Sequence, residues 1–162
     1  MACRAPPGTS AESWVALGER VLHSSPSRAV ACFSDAVKAD PTSYAAPLVL
    51  GRFLVHSGSD DMTTVVRLLR RAARLAQRED NATASSEALK ELGDAHAASS
   101  DWRSAAAAYA EGLSQAPTDC VLSASLANVR AAAGEYAAAV AALRAALAED
   151  HACVLAHHGL AR

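Results

Sequence analysis

The sequence predicts an all-α fold, a right-handed α-solenoid of antiparallel helix-turn-helix repeats, on three observations. A Leu followed by a small residue recurs at Leu17-Gly18, Leu50-Gly51, Leu92-Gly93, Leu126-Ala127 and Leu160-Ala161. The small residues stand 33, 42, 34 and 34 positions apart, a step at which each unit buries its apolar face only against its neighbours. Other landmarks keep the same step. Ala29, Phe33 and Pro41 follow Gly18; Ala105, Tyr109 and Pro117 follow Gly93; Ala139 and Leu143 follow Ala127, with His151 in the proline position. The chain is also rich in Ala, the residue with the highest intrinsic helix preference.

Each element has a local reason. Residues 1–10 carry two prolines, a Gly and no periodicity, and read as a disordered leader. Ser10 is an N-cap candidate for a first helix over 11–23. Residues 24–27 form a turn, and a second helix over 28–39 is stopped by Pro41. The next unit opens with a helix over 44–56, whose Pro47 is tolerated because it falls in the first turn. Its second helix spans 61–78, with Thr63 and Arg67 in the positions of the landmark Ala and aromatic. The eight extra residues of the long step are assigned to this helix and a polar linker over 79–83. Helices over 85–98 and 101–114 follow, with Asp101 as a cap or first-turn acid. Helices over 119–133 and 135–148 flank a turn at Gly134. The expected organisation is an array over 11–162, with repeats at 11–43, 44–84, 85–118 and 119–152 and a partial fifth at 153–162. The apolar last segment makes a poor cap, so the chain reads as a fragment or short form of a longer array.

In register, Trp14-Leu17-Gly18-Ala29-Phe33-Ala36-Pro41 and Leu92-Gly93-Ala105-Tyr109-Gly112-Pro117 resemble the tetratricopeptide repeat, a 34-residue helix-turn-helix unit. The resemblance covers residues 11–162. It implies that small residues let paired helices approach while Phe33 or Tyr109 fills the gap to the next helix. It also implies that function lies on a concave groove lined by each repeat's first helix. Its positions here include Glu12, Val15, Glu19, Val49, Arg52, His56, Glu87, Lys90, Glu91, Asp94, Ser125 and Asn128.

Composition narrows the function class. A net charge of −2 gives no global drive toward nucleic acid or anionic membrane. No apolar run could span a bilayer, and nothing resembles a secretory signal. Cys3, Cys32, Cys120 and Cys153 lack a framework spacing, so they read as reduced thiols of a cytoplasmic or nuclear protein. The sequon Asn81-Ala82-Thr83 is discounted for the same reason.

Three clusters invite a sharper reading. His151, Cys153, His157 and His158 place a thiol and an imidazole one helical turn apart, but the paired short spacings of a zinc site are missing, so no metal is expected. Arg67, Arg70, Arg71, Arg74 and Arg78 form one stripe at helical spacing, opposite Val65, Val66, Leu68, Leu69 and Leu75. Without interleaved aromatics the stripe reads as a solvated outer face rather than an RNA surface. Glu87, Glu91 and Asp94, with Lys90 among them, read as carboxylates on one exposed face. No phosphate-cradling loop or nucleophile motif appears, so neither an enzyme nor a cofactor is expected.

The expected function is therefore a protein–protein interaction scaffold whose groove takes a basic or amphipathic peptide or helix. The family's clamp for heat-shock chaperone C-terminal tails needs Lys, Asn and Arg where this chain has Val15, Glu19, Val49, Glu87 and Glu91, or Asp94, Ser125, Leu155 and Gly159. Such tails are not expected to bind. Alternatives are the regulatory repeat region of a larger enzyme and an RNA-associated scaffold.

Overall fold

A computed structural model of the chain describes residues 10–160 and contains, among them, nine α-helices and no strand. They divide between two compact units, with the boundary along the chain between Asp80 and Asn81. The first unit holds α1 (Ala11–Val21), α2 (Pro26–Ala39), α3 (Ala45–His56) and α4 (Met62–Arg78). The second holds α5 (Ala82–Ala98), α6 (Trp102–Gln115), α7 (Cys120–Ala132), α8 (Tyr136–Glu149) and α9 (Val154–Leu160). The expected leader and the fifth small residue, Ala161, lie outside the described residues.

Helix starts follow from side-chain caps that satisfy orphan backbone N–H groups. Ser10 accepts from Ser13 N, Asp61 from Thr64 N, Asn81 from Ala84 N, Asp101 from Ser104 N, and Asp119 from Val121 N and Leu122 N. Pro26 takes the first turn of α2, so that helix begins two residues before the sequence expectation. Pro47 likewise sits buried in the first turn of α3, where its missing N–H has no intrahelical partner to lose. Pro41 and Pro117 act from beyond the helix ends: Asp40 and Ala116, the residues before them, are already out of helical geometry at φ −133° and −135°.

In the first unit the core gathers Ala29, Phe33 and Leu50, with Val15, Val49 and Phe53 packed around them. Phe33 and Phe53 meet in a tilted ring contact at 6.4 Å. A Cβ added to Gly18 would run into the Phe33 ring, and one added to Gly51 would lie 2.6 Å from Leu69. The Gly51 contact corrects the register of the second repeat. Val65 and Leu69, both fully buried, take the landmark positions, each two residues after the expected Thr63 and Arg67. The turn between α3 and α4 is longer than in the other repeats and carries Gly58 at φ +68°. The remaining surplus lengthens α4 and α5 to 17 residues each. The five-residue linker shrinks to Glu79, Asp80 and Asn81, because Asn81 caps α5 and Asp80 turns the chain at φ +53°.

Core clusters tie the later helices of the second unit together. Ala105, Tyr109, Leu122, Leu126 and Val129 join α6 to α7. Ala127, Ala139, Leu143, Ala146, Cys153 and Ala156 join α7, α8 and α9. The Tyr109 ring closes over Gly93, whereas the fourth repeat pairs Ala127 with the smaller, more adaptable Leu143. Trp14 and Leu17 are only half-buried, while Leu92 lies in the core. Helix α9 buries Ala156 but leaves Val154, Leu155 and Leu160 exposed.

The reduced-thiol expectation is overturned. Cys120 and Cys153 form a disulfide, with Cα atoms 5.6 Å apart, that ties the start of α7 to the residue before α9. Cys32 is disulfide-bonded as well. The separation of 33 residues is one short of the 34-residue repeat step, so Cys120, the first residue of α7, faces Cys153, the residue just before α9. Disulfides persist in oxidising surroundings, so the cysteines no longer argue for a cytoplasmic or nuclear setting. Among the described residues, no helix is long and apolar enough to cross a membrane.

Candidate interaction surfaces

The residues singled out as groove-lining separate into the two units. In the first, α1 and α3 lie side by side and enclose a recess of about 190 Å³. Val15, Ala45 and Ala46 line it with buried or half-buried apolar surface, and Glu12, Ala16 and Glu19 line it from exposed positions. Arg52 and His56 sit one turn apart further along α3. The His56 Nδ1–H donates to the Arg52 carbonyl at 2.9 Å, and Val49 is half-buried against the core.

In the second unit, Glu87, Lys90, Glu91 and Asp94 share α5, but they do not form an open acidic face. Glu91 is 4% exposed, inside the packed side of the helix. Lys90 Nζ lies 2.9 Å from Asp94 Oδ2 and 3.5 Å from Glu91 Oε1. The Tyr109 hydroxyl donates to the other Asp94 oxygen at 2.5 Å. Asp94 thus joins α5 to α6, and Lys90 offsets the charge that this close approach buries. Burial draws the Lys90 pKa down, yet the Asp94 hydrogen bond and the charges of Asp94 and Glu91 outweigh it and hold the ammonium above its usual value. Burial foremost, then the Asp94 bond and the nearby carboxylates, push the Tyr109 phenol far above its ordinary value. This pairing joins residues 15 apart on different helices, and no sequence pattern announces it.

Glu87 and Lys90 also line a recess of about 330 Å³, with Thr83, Ser86, Gln115 and Asp119. Asp119 spends one carboxylate oxygen capping α7. On α7, Ser125 is half-buried and Asn128 exposed, and neither lines this recess.

Near the C-terminus the thiol of the His/Cys cluster is consumed by the disulfide, and His157 Nε2 faces the His151 carbonyl at 3.0 Å. A hydrogen bond to a carbonyl requires that nitrogen to donate, so both groups serve local structure.

The sequence matches no protein-family model and no curated protein. Solved structures do resemble it. A crystal structure of the MamA protein aligns over 87% of this chain and 73% of its own, with a TM-score of 0.75 at 22% identity. A double mutant of MamA RS-1 aligns over 96% and 93%, with a TM-score of 0.72 at 14% identity. The APC/C hetero-tetramer Cut9-Hcn1 aligns over 95% of this chain but only 30% of the matched chain, with a TM-score of 0.75 at 18% identity. At such identities the likeness is one of fold. Together with the register of Gly18, Gly51 and Gly93 against Phe33, Leu69 and Tyr109, it gives the chain a helical-repeat fold like that of the tetratricopeptide repeat.

Proposed function

We propose that this chain is a protein-interaction module whose first-helix faces take a basic or amphipathic helical segment. The observation that carries the reading is the chemistry of the two recesses. Each is lined by carboxylates together with small residues: Glu12 and Glu19 beside Ala11, Ala45 and Ala46 in one, and Glu87 and Asp119 beside Ala82, Ser86 and Ala116 in the other. The cation at the second, Lys90, is already engaged by Asp94 and Glu91. An apolar face with basic flanks complements such a surface, whereas an acidic tail is repelled. That argues against heat-shock chaperone tails as ligands and for binding rather than catalysis as the activity.

The probe is a pair of helical peptides with one apolar pattern, flanked by Lys in one and by Glu in the other. The Lys peptide should bind, with an affinity that falls as salt rises. Glu87→Lys combined with Glu12→Lys should weaken it by about tenfold, the scale of one to two lost charge pairs. Equal binding of both peptides, or an unaffected variant, would sink the proposal. Glu91 and Asp94 are unsuitable for this test because they hold α5 in place.

A further inference from the structure

The arginine stripe of α4 has a property that a merely solvated face lacks. At 3.6 residues per turn, Arg67, Arg70, Arg71, Arg74 and Arg78 fall within an arc of about 100°. From first to last they span about 16 Å of helix axis, at 1.5 Å per residue. Arg67, Arg70, Arg74 and Arg78 are exposed, while Arg71 donates to the Pro41 carbonyl at 2.6 Å and secures α4 against the end of α2. Among the described residues, none of the five is ion-paired with a carboxylate. Arg67 donates to Thr64 Oγ1 and feels the Asp61 carboxylate that caps α4, and Arg74 donates to the Arg70 carbonyl. The acids nearest in sequence, Asp60, Asp61, Glu79 and Asp80, lie beyond the helix ends.

Solvated helix faces relieve their charge with opposite-sign partners at i,i+3 or i,i+4. This chain does so elsewhere, with Asp35–Lys38 on α2 and Lys90–Asp94 on α5. On α4 the i,i+4 pairs 67/71, 70/74 and 74/78 are all Arg on Arg, which opposes the helix. We propose that this ridge is a docking surface for the phosphodiester backbone of a nucleic-acid duplex, bound without sequence preference.

Magnitudes favour that occupant. Exposed Arg–carboxylate pairs are so weak that four of them would hold an acidic protein segment at roughly millimolar affinity at best. A duplex adds the release of its condensed counterions, which by itself supports non-specific binding at about 10⁻⁴–10⁻⁶ M. The exposed large hydrophobics all belong to α7, α8 and α9, so the ridge offers no anchor for a protein hot spot or for insertion into a membrane. It also lacks aromatics on which single-stranded bases could stack.

The experiment titrates the full chain with a labelled 20-base-pair DNA duplex, and with an RNA duplex alongside, across a salt series from about 50 mM. Four phosphate contacts predict a log–log salt slope of about −3.6. Arg70→Gln, Arg74→Gln and Arg78→Gln together should bring the slope to about −1 and weaken binding at least tenfold, while triple Lys replacement retains it. Thr63→Glu, which supplies the missing partner one turn before Arg67, should also weaken binding. Circular dichroism confirms that each variant is folded. Absence of binding at 50 mM salt, an unchanged slope in the triple Gln variant, or equal affinity for a poly-Glu peptide or for phosphatidylserine vesicles would overturn the proposal.

Discussion

Replacing Gly93 by Ala should destabilise this protein, although the same change in an open helix is favourable. The position lies mid-helix in α5, so relief of glycine's backbone entropy contributes about 1 kcal/mol toward stability. Against this, the new Cβ would overlap the Tyr109 ring and approach its Cζ at 2.7 Å. The ring cannot easily yield. It is 2% exposed, and its hydroxyl is held by Asp94 at 2.5 Å. Overpacking of this kind costs about 1–3 kcal/mol, which leaves a net loss of about 1 kcal/mol, or roughly 5 °C in melting temperature for a unit of this size. The fourth repeat supplies the compensating change, since Ala127 coexists there with Leu143. Tyr109→Leu alone leaves a void and removes the donor to Asp94 Oδ1, while Lys90 still holds Oδ2, but the double variant should recover about 1–2 kcal/mol relative to the sum of the two singles. Urea denaturation of the four proteins completes the cycle. A Gly93→Ala protein more stable than the parent, or zero coupling, would refute the argument that ring contact selects glycine.

Further outcomes follow from the same packing. Reducing Cys120–Cys153, or replacing both residues by Ser, opens a 33-residue loop and should lower the stability of the second unit by about 3.5–4 kcal/mol. Denaturation with and without reductant measures it, and coincident curves would exclude the cross-link. Because the Tyr109 pKa is raised on folding, its contribution is complete below the ordinary phenol value of 10.0 and is lost as pH climbs through the higher folded value. The absorbance step at 295 nm that disappears in Tyr109→Phe should therefore coincide with alkaline unfolding; a step well before unfolding would contradict the Asp94 hydrogen bond. Tyr109→Phe should itself cost about 1.5–3 kcal/mol, as expected for a bond to a charged group.

Much of the surface chemistry was readable only in outline. The stripe of Arg67, Arg70, Arg74 and Arg78 follows from helical period alone, because exposed residues keep the phase of their own helix. The groove positions on α5 also follow the period, but their chemistry does not. Glu87, Lys90 and Asp94 are partly accessible, while Glu91, one residue from Lys90, turns into the packed side. A charge pattern cannot show how far a helix is rotated against its neighbours.

The sequence by itself determined the repeat. A small residue where two helices touch, a large one to fill the gap, and a Pro or a capping Asp, Asn or Ser at each end act over one or two turns and leave a local signature. Tertiary structure decided what depends on partners far along the chain. The second repeat shifts by two residues because Leu69, rather than the slot at Arg67, meets Gly51. Cys120 finds Cys153 because packing of α9 against α7 brings the starts of the two helices within bonding distance. Asp94 is tied up because Tyr109 reaches it from the next helix. Local rules dictate that helices form and where they end. The rotation and stagger with which they settle come from side-chain volumes meeting across the interface, and those contacts place Asp94, Glu91 and both cysteines.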